Sequence, residues 1–154
     1  MDRSKLEITA RIQIQKPAGE VFEAIVDPRS MSNYFISEGS GRMIQGSVLT
    51  WKFPEFDGGF PIRIGRVDRD GYISFFWDSG DRELLVEIFL KPMADNSTLV
   101  TVTEKSMPDD EAGLKWLMGN TEGWANFLAC LKAWMEHGIN LRKGAFDFLR
   151  NNEQ

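Results

Sequence analysis

The chain has 154 residues, the length of one domain with one hydrophobic core, and its 42% hydrophobic and 27% charged residues are typical of a globular protein. Its 18 basic and 23 acidic side chains give a net charge of −5, which disfavours nucleic acid and anionic membranes as partners. No apolar stretch is long enough for a signal peptide or a membrane span, so we expect a cytoplasmic protein with a single domain over residues 1–154.

The chain has one cysteine, Cys130, and one histidine, His137. An intramolecular disulfide needs two cysteines, and a structural zinc site needs about four Cys or His ligands, so neither is expected. Because Glu136-His137-Gly138 is typical of a helix end, we expect His137 to have no catalytic role. The glycine clusters lack the remaining residues of a phosphate-binding loop, so no nucleotide site is expected. With one cysteine and one histidine as well, the sequence predicts no metal and no bound cofactor.

The N-terminal region predicts one strand followed by short helices. Apolar and polar residues alternate from Leu6 to Gln15, as in a strand with one face in water. Pro17 opens a helix whose apolar residues recur at helical spacing until Asp27-Pro28. A second short helix is predicted over Arg29–Phe35, where Met31 begins an apolar stripe.

The central region predicts an antiparallel meander, because helical periodicity disappears and turn signals such as Asp70-Gly71 and Asp95-Asn96 separate β-rich runs. The six predicted strands lie near Gly41–Met43, Ser47–Phe53, Ile62–Asp68, Tyr72–Asp78, Glu83–Lys91 and Thr98–Lys105.

The C-terminal region predicts one long helix after Pro108 that ends near Gly138, with Gly119 and Gly123 breaking or kinking its start. Residues 139–154 form a tail, in which four apolar residues can pack back on the body: Leu141, Phe146, Phe148 and Leu149. These elements give an α+β architecture of about seven antiparallel strands, whose apolar face is covered by the long helix.

Four local patterns resemble the family of activator of heat-shock-protein-90 ATPase homologues, in the START-like or Bet v-like (SRPBCC) superfamily of helix-grip folds. They are the opening strand, Pro and Val-aromatic helix over Ile12–Ile25, the hairpin from Gly65 to Trp77, the last strand Ser97–Glu104, and the Gly123-Trp124 start of the C-terminal helix. Their order covers roughly residues 6–137. The resemblance implies a helix-grip fold, in which a curved sheet wraps around the C-terminal helix and encloses a cavity.

The cavity that the resemblance implies would be lined by large rings of neighbouring strands and by a ridge of the long helix. For any single ring, the alternative is that it simply fills the interior. The predicted ligand-binding residues are Trp51, Phe53, Phe75, Trp77, Glu104, Phe127, Cys130 and Trp134. We expect four of them, Trp51, Phe75, Trp77 and Trp134, to surround one internal space.

Two of these residues carry reactive groups. Cys130 lies in an apolar run and is expected to be a small buried hydrophobe rather than an activated thiolate. Glu104 shares the parity of Val100 and Val102, so it either lines the pocket or follows the end of the strand into water. In the pocket it needs a partner such as a hydroxyl, Arg42, Arg63 or a polar ligand group.

Three functions are therefore open. The first is binding of a hydrophobic or amphipathic small molecule between the sheet and the C-terminal helix. The second, which the resemblance implies, is a protein-interaction module that activates a chaperone ATPase as a co-chaperone does. The third is an enzyme of the cyclase or hydrolase type found in the superfamily, which the missing set of acid and base residues disfavours.

Overall fold

A seven-stranded antiparallel sheet in the order β1-β7-β6-β5-β4-β3-β2 forms the frame of the protein. The computed structural model describes residues 5–151, and residues 1–4 and 152–154, the ends of the predicted domain and tail, lie outside the described residues. The strands are β1 Lys5–Ile14, β2 Glu38–Gly39, β3 Val48–Lys52, β4 Phe60–Asp68, β5 Tyr72–Ser79, β6 Arg82–Met93 and β7 Ser97–Pro108. The α-helices are α1 Ala18–Val26, α2 Pro28–Met31 and α3 Glu111–His137.

One face of the sheet is buried against α1 and α3. Alternate residues of the central strands point into this core, among them Ile73 and Phe75 of β5 and Val100 and Val102 of β7. They belong to the same buried cluster as a stripe of α3 formed by Trp124, Phe127, Leu128 and Leu131. The predicted α+β architecture is confirmed, and none of the described helices is long and apolar enough to span a membrane.

The predicted strand at Gly41–Met43 is wrong. The Met43 amide donates to the carbonyl oxygen of Val26 at 3.0 Å, and its side chain is buried, so this segment docks on the end of α1 instead of joining the sheet. The edge strand is the two-residue β2, in which Gly39 pairs with Trp51. The apolar side chain of Met43 indicates burial, but the sequence does not show that this segment packs on α1 rather than in the sheet.

The second helix is shorter than the predicted Arg29–Phe35. It ends at Met31, and residues 32–35 continue as turns. The Asn33 side-chain amide donates to the backbone carbonyl of Arg29 at 2.9 Å. It thereby occupies a carbonyl group that a longer helix would use for its own backbone hydrogen bonds. This tighter path turns Phe35 towards the rings of the sheet.

The prediction that Gly119 and Gly123 break or kink the long helix is wrong, since α3 is continuous over 27 residues. Burial of its apolar face outweighs the low helix propensity of two glycines. Its ends lie where the sequence predicts them: the Asp110 side chain accepts from the Gly113 amide, and Gly138 ends the helix at φ 66°. Of the tail residues, Phe146 and Leu149 are half-buried, whereas Leu141 and Phe148 are exposed.

The start of α3 packs closely on the end of β7. A Cβ atom on Gly113 would overlap the Pro108 carbonyl oxygen, whereas one on Gly119 would meet no atom within 4 Å. We therefore expect Gly113→Ala to lower the free energy of unfolding by about 1–3 kcal/mol. Gly119→Ala is the control and should raise it by up to about 1 kcal/mol. Urea unfolding followed by circular dichroism measures both, and equal effects would contradict this packing.

Candidate functional site

A cluster of aromatic rings joins the sheet to α3. Phe35, from the turn after α2, lies at the centre, with its ring centroid 4.7 Å from that of Phe127 and 5.6 Å from that of Trp51. Trp77 of β5 lies 5.6 Å from Trp124 of α3. Because most of these pairs meet edge to face, the rings interlock without stacking flat and leave gaps between them.

Three voids lie beside this cluster and together form the cleft. The tail void, of about 180 Å³, lies under the C-terminal tail, and its main lining residues are Phe35, Phe53, Phe127, Cys130, Arg142 and Phe146. The central void, of about 160 Å³, is lined by Phe35, Trp77, Asn120, Gly123 and Trp124. The hairpin void, of about 260 Å³, lies where β5 enters its hairpin and is lined by Phe53, Phe56, Phe60, Trp77, Asp78, Ser79, Glu104 and Asn120. Shared lining residues place the three side by side.

Gly123 keeps part of this space open. It lines both the tail void and the central void, and a Cβ atom at this position would meet no atom within 4 Å. Packing therefore does not demand a glycine here. Since glycine inside a helix costs about 1 kcal/mol relative to alanine, the residue lowers stability while it leaves room in the cleft.

Glu104 is fully buried in β7 and accepts three hydrogen bonds. Its Oε2 accepts from Trp77 Nε1 at 2.9 Å, and its Oε1 accepts from Trp124 Nε1 at 2.8 Å and from Asn120 Nδ2 at 3.1 Å. All three partners donate N–H groups and none of them is a cation. The side chain therefore ties β7 to β5 and to α3 as a hydrogen-bond acceptor.

The structure decides between the alternatives left open for Glu104. The strand does not end at Thr103, so the solvent-exposed alternative is wrong, and the suggested arginine partners are wrong as well. Arg42 makes a two-bond ion pair with Glu23, and Arg63 pairs with Glu83 on the other side of the sheet. The true donors, two indoles and an amide, come from β5 and α3.

A buried ion pair holds the tail against the loop between β3 and β4. Arg142 donates from Nη1 and Nη2 to the two carboxylate oxygens of Glu55, each at 2.7 Å, and from Nε to the carbonyl oxygen of Phe35 at 3.1 Å. Burial works to raise the pKa of Glu55, but the Arg142 guanidinium outweighs it and holds that pKa below its ordinary value. Arg150 adds a bond to the carbonyl oxygen of Pro54.

Five of the eight predicted site residues line the cleft: Phe53, Trp77, Glu104, Phe127 and Cys130. Trp51 and Phe75 stand behind them, packed on Trp77 and each other. Trp134 lines none of the three voids. It follows Phe127 by two helical turns on the same face, which moves it about 10 Å along the helix axis.

Sequence reasoning missed several lining residues. Trp124 takes the place given to Trp134, and its position in the apolar stripe of α3 was the available signal. Gly123 was interpreted as a possible helix breaker and as part of the Gly123-Trp124 pattern at the start of the helix, but not as a lining residue. Glu55 and Arg142 are 87 positions apart, and nothing in their local sequence links them.

Cys130 is buried at the wall of the tail void. Burial raises the pKa of its thiol, and the Arg142 guanidinium offsets this only in part. This environment favours the neutral thiol, as for a small hydrophobic side chain. His137 is the last residue of α3 and its side chain is largely exposed, outside the cleft.

Comparison with known proteins finds similarity in both sequence and fold. The family model described as Activator of Hsp90 ATPase homolog 1-like protein matches residues 15–136. A solved structure of a protein from Staphylococcus saprophyticus is 34% identical with a TM-score of 0.78, and the match covers 89% of this chain and 96% of that one. None of the curated proteins matches this sequence.

Two further solved structures share the fold at lower identity. DynU16, a putative protein in the dynemicin biosynthetic locus, is 24% identical with a TM-score of 0.77, and the match covers 87% of this chain and 48% of DynU16, about half its length. The Aha1 dimer from Colwellia psychrerythraea is 18% identical with a TM-score of 0.74, and the match covers 86% and 98% of the two chains. The predicted helix-grip fold and the family resemblance are confirmed.

The Glu104 network predicts a stability loss for an isosteric change. In Glu104→Gln an amide N–H₂ group would face an N–H donor of Trp77 or Trp124, so we expect the free energy of unfolding to fall by about 1–3 kcal/mol. Glu122→Gln, the same change at an exposed position of α3, should stay within about 0.5 kcal/mol of the native protein. Urea unfolding at pH 7 measures both, and an equally small effect of the two would refute the network.

The Glu55–Arg142 pair predicts a pH-dependent contribution to stability. Because the pKa of folded Glu55 lies below its ordinary value of 4.5, the pair stabilises the protein above that pH and loses its effect as the pH falls through the lowered pKa. At pH 7, Glu55→Gln should cost about 3 kcal/mol, and the difference from native should shrink below pH 4.5. Glu38→Gln removes an exposed ion pair and should cost under about 1 kcal/mol. Thermal melts across pH test this, and a pH-independent difference would contradict it.

Proposed function

The chain belongs to the family of Activator of Hsp90 ATPase homolog 1-like proteins, and on this premise we propose that it binds an apolar or amphipathic small molecule in the cleft. The observation that carries the proposal is Gly123, an exposed residue of α3 whose missing side chain leaves two adjoining voids open. Alanine at this position would raise the helix propensity and cover part of this space. A helix that loses stability to keep it open is consistent with a ligand that fills it.

The size and lining of the cleft support a ligand with aromatic or fused rings. An apolar cavity of about 150 Å³ accepts one benzene-sized molecule. The tail, central and hairpin voids, at about 180, 160 and 260 Å³, therefore match a molecule of two or three ring units. Phe35, Phe53, Trp77 and Phe127 supply flat apolar walls on both the sheet side and the helix side.

The polar groups of the cleft support binding rather than catalysis. Glu104 is committed to three N–H donors, and Glu55 is committed to Arg142. A general acid or base needs a proton-transfer path to a substrate, and these carboxylates have their oxygens occupied by protein donors. They fit the role of fixed polar groups that orient a ligand.

The second candidate function is the activation of an Hsp90 ATPase, as a co-chaperone. Its support is the family match over residues 15–136 and the shared fold of the Colwellia psychrerythraea protein that is named an Aha1 dimer. This function would use a protein surface, whereas the first uses the cleft. A variant that fills the cleft and leaves the remaining surface unchanged therefore separates the two.

Filling the cleft provides that variant. N-phenyl-1-naphthylamine, a neutral fluorescent probe, should bind the native protein one to one. Gly123→Leu should weaken this binding at least about tenfold, because the leucine side chain would occupy the tail and central voids. Gly119→Leu, at the other open glycine of α3, lines none of the three voids and should change the affinity less than about twofold.

Two results would contradict small-molecule binding in the cleft. One is an unchanged affinity of Gly123→Leu, with the fold verified by circular dichroism. The other is a native protein that takes up no probe. Stimulation of a purified Hsp90 ATPase by native protein and by Gly123→Leu alike would instead favour the co-chaperone function.

A further inference from the structure

We propose that β1 is a dimer interface, at which the edge of the sheet pairs antiparallel with β1 of a second copy of this chain. The strand, Lys5–Ile14, lies at one end of the strand order and has only β7 as a neighbour. A long unpaired edge presents a row of backbone N–H and C=O groups and is a template for a further strand. The dimer goes beyond the proposed function and does not depend on it.

The free edge of β1 carries the backbone groups of alternate residues. In an antiparallel ladder each residue directs its N–H and its C=O to the same neighbour, and successive residues alternate sides. The Gln13 carbonyl accepts from Lys132 Nζ at 2.8 Å, so it faces away from β7. By this alternation the backbone groups of Glu7, Thr9 and Arg11 face away as well. Within residues 5–151, α3 makes no hydrogen bond to these three residues, and their edge is open to a second strand.

The charged side chains of β1 match those of a second copy. When two β1 strands pair about a two-fold axis at Thr9, Glu7 of each copy lies opposite Arg11 of the other. Both charged side chains are on the exposed face of the strand, and within residues 5–151 neither takes part in an ion pair. Lys105, which lies opposite Glu7 on β7, pairs with Glu87 instead. A second copy would therefore supply both missing partners.

The apolar side chains of β1 match in the same register. Leu6 of one copy falls opposite Ile12 of the other, and Ile8 falls opposite Ala10. Ile8 is fully buried in the single chain, whereas the other three pack against the core and are only half-buried. A paired strand would cover their remaining exposed surface. The same axis thus joins unlike charges on one face and apolar residues on the other.

The backbone and the charges select one register. An axis at Thr9 joins odd-numbered residues to each other, and these are the residues whose backbone groups face outward. Glu7, Thr9 and Arg11 of the two copies would then form about six hydrogen bonds. An axis at Ile8 would instead place Lys5 opposite Arg11, and two cations in direct opposition are destabilising. The pattern of β1 therefore specifies how two copies pair.

The flank of α3 beside β1 extends this surface. Lys132 marks that flank by its bond to the Gln13 carbonyl, and Leu114 and Met118 lie about five and four helical turns before it on the same side. These two apolar side chains are 46% and 67% exposed. Pairing of the strands brings the same flank of the second copy alongside them. Gly123 lies about two and a half turns before Lys132, on the opposite side of α3, so the cleft stays accessible in the dimer.

Sedimentation velocity of the native protein over a concentration series tests the dimer. We expect the mass to rise towards about 35 kDa, twice the 17.6 kDa of one chain. Thr9→Pro removes the outward amide at the axis and should weaken dimerisation at least about tenfold. Thr9→Val keeps that amide and should change the dimerisation constant less than about threefold. Circular dichroism verifies the fold of each variant.

Charge reversal tests the register. Glu7→Arg alone brings two cations into opposition, and Arg11→Glu alone brings two carboxylates into opposition, so each variant should dimerise at least about tenfold more weakly than native. A mixture of the two variants should form dimers again, because every charge then lies opposite its complement. Arg82→Glu makes the same change at an exposed position outside β1 and should leave dimerisation within about twofold of native.

The outcomes decide the proposal without reference to the cleft. A native protein that stays monomeric at all concentrations would overturn the second copy as the occupant of this edge. A dimer that Thr9→Pro and both charge reversals leave unchanged, or that Arg82→Glu weakens equally, would overturn β1 as the interface. Weak dimerisation of each charge variant with recovery in the mixture would support the interface and its register, and no recovery would overturn the register. Uptake of N-phenyl-1-naphthylamine tests the proposed function separately.

Discussion

The buried carboxylate of Glu104 is the contact on which the rest of the site depends. It lies in β7, and its three donors belong to β5 and to α3, so one side chain joins two strands of the sheet to the helix that covers them. Leaving any of these groups without a partner is expensive in a dry interior, whereas an apolar contact tolerates small shifts. The network therefore fixes the height of α3 over the sheet, and with it the rings of Trp77 and Trp124 that wall the cleft.

On one side of this network the core is closely packed, and on the other side lies the cleft. Leu128 and Leu131 of α3 are fully buried against the sheet, where side chains fill the space. One turn earlier, Gly123 contributes no side chain, and the voids begin. The buried pair of Glu55 and Arg142 then holds the tail over the opening. A cleft of this kind results from a missing side chain and a tether, not from loose packing of the whole core.

Parity and helical spacing could be read from the sequence because both are local. They placed Trp51 and Phe75 on the inner face and gave Glu104 the same parity as Val100 and Val102, while Pro108 and Gly138 marked the ends of α3. Helical periodicity predicts which face of α3 a residue lies on but not its position along the helix relative to the cleft. Trp134 was therefore predicted as a lining residue, whereas the structure has Trp124 there. The partners of Glu104 and the Glu55–Arg142 pair join distant segments, and no local pattern specifies which residues meet there. The glycines of α3 were misread because propensity was weighed without the burial of the whole helix.

The two ends of the cleft also differ in how a ligand would reach them. At the tail end, access requires separating Arg142 from Glu55, and breaking a buried ion pair costs several kcal/mol, about 3 to 5 where one partner is lost. At the hairpin end, the rim rings Phe56 and Phe60 are 51% and 39% exposed. The proposed ligand would therefore enter past the rings of the hairpin void and extend towards the tail void.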